Sequence, residues 1–470
     1  MNEREVSPAA ATGQFFVESP AITAPRGGGS IRGIGEKFAS NPVTGTGGLQ
    51  VPIPITPGRF APTLTLAYDS GGGNGPFGIG WSLGLPAITR KTDRGLPRYR
   101  DDDVFVLASA EDLVPQAGVI DREREGHLVR RYFPRVEGAF ARIERWTRIG
   151  APSDVSWRSI SRDNVTTVFG GSADSRIVDP DDPARVFSWL ISETYDDKGN
   201  TVSYSYQRED AVGVDRTRAC EQHRGTGAGA NCYLSRVRYG NRTPRTAADD
   251  VAQLAWLFEV VLDHGDPCWE TAGDLFRVSP TAEAHAWQAR SDAFSTYRAG
   301  FEVRTSRLCR RVLMFHRFPE LGPEPLLVRS VELEYGEAAS GARLARVTQR
   351  GHVVDDFIPI VERGGARYRS YRGRALPPIA LAYSTAQIDD TVRVLDDASR
   401  ENLPFGVDDA VFRWVDLDGE GLPGVLSEQA DGWFYKRNLS ARFAPLERLP
   451  FVPSPGGHSW STSTATAGSM

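Results

Sequence analysis

One loop of this sequence carries acidic side chains at a spacing that can wrap around a metal ion. It reads Asp416-Leu417-Asp418-Gly419-Glu420-Gly421-Leu422-Pro423-Gly424, with carboxylates at positions one, three and five around a glycine turn, as in calcium loops. The blade loops of integrin-like propellers add an Asp at position nine, and an EF-hand needs a Glu at position twelve. This chain has Gly424 and Ser427 there. We therefore predict a weak, degenerate calcium site at Asp416, Asp418 and Glu420, and we favour a plain acidic turn over an occupied site.

Other motifs that carry chemistry are missing or incomplete. The glycine-dense stretch from Gly27 to Phe38 has no Gly-Lys-Ser/Thr after it and no strand-then-helix context, so it does not fit a phosphate loop. We predict instead that it passes close to other backbone, and Gly71–Trp81 has the same character. The sequence contains no GxSxG or HExxH motif, and no Cys/His nucleophile pair stands out among its seven histidines. No cofactor other than weakly bound calcium is expected.

The four cysteines do not indicate a metal site. Cys220, Cys232, Cys268 and Cys309 form no CxxC pair, which argues against structural zinc. Cys220 and Cys232 flank a Gly-rich loop and would be able to pair if oxidised. Free thiols in a reducing cytosol are favoured, because so long a chain has so few cysteines.

The elements that position these residues are predicted to be strands. Alternation of apolar and polar residues marks Thr63–Asp69 and a set of similar segments, and turn signals lie between them. Leu49–Ile55 contains two prolines and is predicted to be an edge strand, because proline cannot donate to a ladder. Helical periodicity is scarce, with Thr281–Arg290 the best short candidate. The similar segments are Val202–Tyr206, Leu234–Tyr239, Val331–Tyr335 and Ile379–Tyr383, and two further segments, Trp256–Leu262 and Val312–Phe318, are predicted to be buried strands.

Composition excludes several classes of protein. The chain of 470 residues has 55 Lys and Arg against 60 Asp and Glu, and no basic tract, so nucleic acid is not expected as a partner. No apolar run reaches the length of a membrane span. The stretch Met1–Gln14 is polar and has no signal-peptide core. We predict a protein that is cytoplasmic before release and is then secreted by a leaderless route.

Composition also suggests where the chain divides. We predict a flexible arm over residues 1–25, a large β-rich domain over 26–390 and a disordered Ser/Thr/Gly-rich tail over 451–470. Between them, residues 391–450 follow a polar, acidic junction. Ala410–Asn438 reads as a strand, an acidic glycine turn and two more strands, which is how a propeller blade begins. The predicted fold class is all-β, with a first, incomplete blade after the large domain.

Long blocks of the sequence resemble the SpvB/TcB family, the B components of Tc toxins. Two compositionally unusual blocks, Ile31–Arg59 and Tyr68–Tyr99, are similar to the opening signatures of that family. The resemblance extends from about residue 15 to 450. Further similar blocks follow in order: Phe140–Thr147, Trp189–Asn200, Arg298–Pro319, Phe412–Leu426 and Gly432–Leu439.

The resemblance implies a part in an ABC-type toxin complex. In that family the SpvB region is β-rich and forms one end of a hollow shell. A propeller follows and docks on the pentameric channel of the A component, and YD/RHS repeats of the B and C components close the shell around a toxic C-terminal payload. The expected role is therefore a non-catalytic structural and docking component of this cocoon, with the A component and the C component as partners.

Two alternatives stay open. The first is a calcium-stabilised β-propeller module for binding or adhesion. The second is a carrier of an ADP-ribosyltransferase, which some SpvB-type proteins have at their C-terminus, with a motif order of Arg, Ser-Thr-Ser and Glu-x-Glu. Here Glu332-Leu333-Glu334 precedes Ser461-Thr462-Ser463, so the order is reversed, and the glutamates lie on a predicted strand. We therefore predict that the chain is not an enzyme.

Overall fold

Antiparallel strands make up nearly all of the regular structure of this chain. The computed structural model describes residues 37–40, 45–108, 111–116, 121–138, 140–219, 221–222, 224, 227, 229–246, 249–265, 269–279, 287–336, 341–363, 366–384, 390–404, 411–440 and 442–450. The predicted N-terminal arm, the C-terminal tail and the first glycine-dense stretch up to Glu36 lie outside these residues. Among the described residues, no helix is long and apolar enough to cross a bilayer.

The first strands form a small four-stranded sheet, and they correct one prediction. The strands are β1 (Lys37–Ser40), β2 (Gly47–Pro52), β3 (Thr65–Asp69) and β4 (Trp81–Leu83), in the order β1-β2-β3-β4. The segment with two prolines was predicted to be an edge strand, but β2 pairs on both sides. It can do so because Pro52 is the last residue of the strand and lies beyond the pairing with β1, which ends at Gln50.

Eight further strands close into an antiparallel barrel. Each strand pairs with the next in the order given below, and β14 returns to pair with β5. Two short strands pair at its side, β8 (Arg122–Arg124) on β9 and β13 (Arg176–Val178) on β14. The barrel strands are β5 (Ala87–Arg90), β6 (Phe105–Leu107), β7 (Glu111–Pro115), β9 (His127–Pro134), β10 (Arg142–Arg148), β11 (Val155–Ile160), β12 (Thr166–Phe169) and β14 (Val186–Tyr195).

Aromatic side chains from four of these strands form a buried cluster. Phe105, Tyr132, Trp157 and Trp189 are each at most 2% exposed. Their rings meet edge to face at centroid distances from 4.9 to 6.0 Å, the arrangement that aromatic quadrupoles favour. The barrel is therefore a packed core, like other small barrels whose interior is filled by side chains.

A long sheet continues from β14 of the barrel. Its strands pair in the order β15, β16, β17, β22, β23, β24, β26, β19 and β18, with β25 on β26 and β27 on β24. A separate hairpin consists of β20 (Phe294–Thr296) and β21 (Val303–Thr305). The sheet strands are β15 (Thr201–Arg208), β16 (Cys232–Asn241), β17 (Trp256–Asp263), β18 (Trp269–Ala272), β19 (Leu275–Val278), β22 (Arg311–His316), β23 (Leu326–Gly336), β24 (Arg343–Val354), β25 (Val361–Arg363), β26 (Ala366–Ala375) and β27 (Ile379–Ala380).

Helices are short in the described part of the chain. The single α-helix there is α1 (Asp397–Arg400), which the sequence did not predict. Its N-cap is Asp396, whose carboxylate accepts a hydrogen bond from the Ser399 N–H at 2.7 Å. Three single turns of 3-10 helix lie at Ala173–Ser175, Val251–Gln253 and Pro319–Leu321. The predicted helix at Thr281–Arg290 falls on residues 281–286, outside the described chain, and on 287–290, which are not helical.

The chain divides into two units, Met1–Ala382 and Tyr383–Met470. In the second unit β28 (Phe412–Val415), β29 (Gly424–Gln429), β30 (Gly432–Lys436) and β31 (Glu447–Arg448) form one antiparallel sheet in chain order. Leu426, Trp433 and Tyr435 form its core. The all-β fold class is thus confirmed. The assignment of this sheet to a propeller blade and the domain limits stay predictions.

Limited proteolysis is expected to cut first between Asp390 and Leu403. In that segment Val392 is 91% and Val394 80% exposed, whereas each unit has a core of its own. Exposed backbone without core contacts is where proteases act first. Mass spectrometry of the first fragments checks this expectation. A first cut within the closed barrel would contradict it.

Candidate functional site

The acidic turn lies between β28 and β29 and is held by its own backbone. The Asp416 carboxylate accepts hydrogen bonds from the N–H groups of Glu420 at 3.2 Å and of Gly421 at 2.6 Å. The bond from Gly421 is the main reason that the pKa of Asp416 lies below its ordinary value. Gly419 and Gly421 have positive φ, which the turn needs. Two of the acceptor sites of Asp416 are therefore used within the loop.

The other two acidic side chains of the turn face an arginine. Arg437 directly follows β30. Its Nε lies 2.9 Å from a carboxylate oxygen of Glu420 and 3.2 Å from a carboxylate oxygen of Asp418. The pKa of Glu420 is lowered chiefly by the hydrogen bonds from Arg437. The structure thus brings Asp418 and Glu420 together, but around a guanidinium group. Among the described residues, no group of three or more acidic, histidine or cysteine side chains is arranged to hold a metal ion.

We expect calcium to change the stability of the chain very little. The Arg437 guanidinium already supplies the positive charge at this turn, and position nine has no carboxylate. Adding a chelator should shift the melting temperature by no more than about a degree or two, since a weakly held ligand adds little free energy.

The Arg437→Gln variant is the matched control for this expectation. Removing the guanidinium leaves the carboxylates unpaired, so the variant should gain calcium dependence that the wild type lacks. A drop of many degrees in the wild type, abolished by Asp416→Ala, would show that the turn is an occupied site.

The Glu332 and Glu334 pair lies on β23, as predicted, and alternates with buried Val331 and Leu333. Glu332 accepts a hydrogen bond from the Nε of Arg350 at 2.9 Å. Glu334 forms a looser ion pair, 3.6 Å, with an arginine of the same neighbouring strand β24. Both carboxylates thus serve cross-strand pairing. The Ser461–Ser463 segment lies outside the described residues.

The second glycine-rich block, Gly71–Trp81, packs closely against other backbone, as the sequence predicted. At Gly80, where φ is +79°, a Cβ atom would lie 2.8 Å from the Asp69 carbonyl oxygen and 2.5 Å from the ring of Tyr68. At Gly78 it would lie 2.8 Å from the carbonyl oxygen of Ala342. No side chain fits at either position, so these glycines are needed for the loop to reach the sheet.

A buried ion pair fastens this loop to the rest of the first unit. Arg290 is 1% exposed in its side chain and pairs with Asp292, with distances of 2.7 and 2.6 Å. The same guanidinium donates to the Gly75 carbonyl oxygen and to the Asn74 side chain. Burial opposes ionisation of Asp292, but the hydrogen bonds from Arg290 and from the Ala342 N–H outweigh it and lower the pKa of this carboxyl.

One cavity of the first unit lies beside the loop Asp179–Asp181. It has a volume of about 600 Å³ and adjoins a second cavity of about 300 Å³ that shares this loop as a wall. The charged side chains here pair with one another, as in Arg176–Asp154 at 2.7 Å and Arg224–Glu221 at 2.8 Å. The described lining of both cavities contains no histidine or cysteine. The two adjoining cavities together are the candidate groove, in which arginines pair with carboxylates.

Behind the smaller cavity lies a buried network around Arg307. This arginine is 1% exposed in its side chain and lies 3.0 Å from Glu209 and 2.6 Å from Asp210. Glu209 also accepts a hydrogen bond from the Tyr233 hydroxyl at 2.7 Å. Burial and the adjacent Glu209 charge raise the pKa of Tyr233 well above its ordinary value. The phenol thus stays protonated and donates to the carboxylate.

The cysteines of the described chain are buried thiols. Cys232 and Cys309 are free, and burial raises the pKa of the Cys232 thiol to about 11. Burial likewise raises the pKa of Cys309. A thiol that stays protonated is a poor nucleophile, so these side chains behave as core residues. Cys220 and Cys268 lie outside the described residues.

The chain matches a known protein family over more than half of its length. Residues 41–318 match the family SpvB, described as Salmonella virulence plasmid 65kDa B protein. A relative from Salmonella typhimurium strain 14028s, the mono(ADP-ribosyl)transferase SpvB, is 37% identical over 325 residues. The match covers 64% of this chain and 53% of that protein, so the chain spans about half the length of the curated relatives it matches.

Solved structures are similar over a larger part of the chain. TcdB2–TccC3 is similar with a TM-score of 0.75 and 30% identity, covering 94% of this chain and 21% of that one. The N-terminal domain of the effector protein SpvB from Salmonella typhimurium strain LT2 has a TM-score of 0.58 and 36% identity, covering 64% of this chain and 97% of that one. A Photorhabdus luminescens Tc holotoxin pore has a TM-score of 0.71 and 31% identity, covering 93% of this chain and 20% of that one.

These relatives confirm the SpvB/TcB resemblance and overturn one prediction. The prediction that the chain is not an enzyme is contradicted, because the curated relatives are named mono(ADP-ribosyl)transferases. The prediction was wrong because it rested only on the absence of a catalytic motif in the sequence. The similarity covers 97% of the solved N-terminal domain of SpvB. A family can contain enzymes whose catalytic residues lie outside the region that its members share.

Sequence reasoning also missed the residues that hold the candidate groove and the glycine loop in place. The Arg290 clamp joins residues more than 200 positions apart, and the Arg307 network joins residues 97 positions apart. No local spacing reveals such pairs. The one available signal was that both arginines lie in a stretch rich in arginine and aromatic residues, which favours buried, multiply bonded guanidinium groups.

Proposed function

Because this chain belongs to the SpvB family, we propose that it is the SpvB-type part of a Tc-like toxin component. In this proposal its barrel and long sheet form one end of a shell that encloses a toxic C-terminal segment. The partners are a C component that completes the shell and the A component that forms the channel.

The extent of the structural similarity carries this proposal. TcdB2–TccC3 is similar over 94% of this chain, a span that must include most of the second unit, whereas the match to the curated Salmonella SpvB protein covers 64%. A Tc-type protein therefore has a counterpart for residues beyond Ala382, where the second unit begins. This difference favours the toxin-complex component over an SpvB effector.

The packing of the first unit supports a role as a rigid part of a protein shell. The barrel is filled by interlocking aromatic rings, and the ionic groups of the groove are paired. The barrel keeps one conformation because close-packed side chains resist rearrangement. A shell that encloses a polypeptide needs this rigidity.

Imaging the assembled particle tests the proposal. The chain, expressed in its natural reading frame together with the C component encoded beside it, should yield a closed hollow particle by cryo-electron microscopy, with residues 37–382 at one end. Replacing the region by the matched Salmonella SpvB domain is the control and should not close the shell. Open particles from the natural pair would contradict the proposal.

The second candidate function is that of a carrier for an ADP-ribosyltransferase. It is favoured by the 37% identity to mono(ADP-ribosyl)transferase SpvB. Sequencing the reading frame around this chain separates the two candidates. YD/RHS repeats support the toxin component, and an Arg, Ser-Thr-Ser, Glu-x-Glu order supports the transferase. For the latter, the full-length product should transfer label from NAD to proteins of a lysate.

A further inference from the structure

A cavity of about 430 Å³ opens where three neighbouring strands of the long sheet meet at one edge. The register fixes this meeting point: Asn241, the last residue of β16, pairs with Trp256, the first residue of β17. Two residues on, Phe258 pairs with His316, the last residue of β22. Residues that flank these strand ends therefore converge on one place, although they are far apart in the sequence.

Arginine side chains dominate the polar part of the lining. Arg238, Arg242 and Arg317 line the cavity, and the lining residues that the structure describes include no acidic side chain. The remainder is apolar or glycine and includes Leu254, Trp256 and prolines. A site with this composition attracts a negative charge and also accommodates an organic group beside it.

The arginines are oriented from behind by one buried carboxylate. Glu259 is 1% exposed. Its carboxylate forms ion pairs with Arg317, with Arg238 at 3.6 Å and with Arg236 at 2.6 Å. The Arg242 guanidinium is held in turn by donating to the Arg317 carbonyl oxygen at 2.8 Å. The donors are thereby placed before a ligand arrives, which reduces the entropy lost on binding.

Trp256 provides a second and independent observation. It lines the same cavity and is 6% exposed, yet its indole Nε1–H has no acceptor among the described residues. Buried donors in native proteins nearly always have an acceptor, because leaving one unpaired forfeits its hydration. The nitrogen is shielded from solvent, so a ligand oxygen reaches it only when the side chains around it shift.

We propose that this cavity binds a tetrahedral oxyanion, namely phosphate, free or as a phosphate ester. Donors approach from three strand ends, and a tetrahedral group presents oxygens in several directions, whereas a carboxylate presents two in one plane. Guanidinium groups bind phosphate oxygens with charge-assisted hydrogen bonds. The apolar part of the lining leaves room for the organic body of an ester.

Titration of the full chain with inorganic phosphate, followed by isothermal calorimetry and ³¹P line broadening, tests the proposal. We expect saturable binding that weakens about tenfold in Arg242→Gln, the loss of one hydrogen bond to a charged group. Trp256→Phe keeps an aromatic ring but removes the indole N–H, and it should weaken binding severalfold. If glycerol phosphate binds more tightly than inorganic phosphate, the ligand is a phosphate ester.

Arg122→Gln, an exposed arginine of β8, is the matched control and should bind like the wild type. Acetate should compete poorly and sulfate well, because sulfate shares the tetrahedral shape. Equal competition by acetate overturns the choice of phosphate. No saturable binding by the wild type, or equal binding by the wild type, Arg242→Gln and Trp256→Phe, overturns the site.

Discussion

Replacing Arg307 by methionine is expected to lower the free energy of unfolding by about 3–5 kcal/mol. Methionine fills a similar volume but leaves Glu209, which is 3% exposed, as a buried charge without its cation. The Trp287 carbonyl oxygen also loses its donor, which lies at 2.5 Å. Urea unfolding followed by tryptophan fluorescence measures the change.

Two further variants make this expectation specific to the buried charge. Arg346→Met breaks the pair with Glu334, whose side chains are 52% and 56% exposed, and should change stability by less than about 1 kcal/mol. The double variant Arg307→Met/Glu209→Gln removes the orphaned charge and should recover part of the loss. If Arg307→Met is as stable as Arg346→Met, the network around Glu209 does not hold the fold.

Alternation of apolar and polar residues predicted the strands well because it reports directly on burial. Val331 and Leu333 point into the core while Glu332 between them faces the neighbouring arginine, so the period-two pattern of β23 is visible in the sequence. The position of a strand within its sheet was harder to predict where the strand contains proline. β2 was placed at an edge because the pattern could not show that its pairing with β1 ends before Pro52.

The barrel could not be predicted from the sequence. Its closure depends on the pairing of Thr89 with Ser188, two residues 99 positions apart, whose hydroxyl groups lie 2.8 Å from each other. Periodicity fixes which face of a strand is buried, but it does not say which strand lies beside it.

The candidate sites divide in the same way. The acidic turn was found because its residues are contiguous, but its partner Arg437 lies 17 positions beyond Glu420 and was not considered. The arginine cavity was not found at all, since Arg238 lies on β16 and Arg317 directly follows β22, two strands that are not adjacent in the sequence. Sites that use the ends of several strands become visible only when the order of the strands is known.

Two buried histidines predict a loss of stability in mild acid. Burial lowers the pKa of His264 to about 4, although the nearby Asp263 charge opposes this change. Burial, together with the Arg350 charge, lowers the pKa of His352 to about 4. Both rings pack against aromatic side chains, His264 on Trp287 at a centroid distance of 4.3 Å and His352 on Phe276 at 5.1 Å. The folded chain therefore keeps these imidazoles neutral.

We expect the free energy of unfolding to fall steadily from about pH 6.5 to pH 4. In this window the unfolded chain takes up a proton on each histidine, at an ordinary pKa of about 6.5, while the folded chain does not, so acid favours unfolding. Each histidine should account for a loss on the order of 3 kcal/mol by pH 4. Urea unfolding at half-unit pH steps measures the slope of the free energy of unfolding against pH.

His264→Gln lowers stability at every pH because it loses the ring stacking, but its slope should be about half that of the wild type. His127→Gln, at a more accessible position, serves as the control. Parallel curves for the wild type and His264→Gln would show that His264 already takes up its proton in the folded chain.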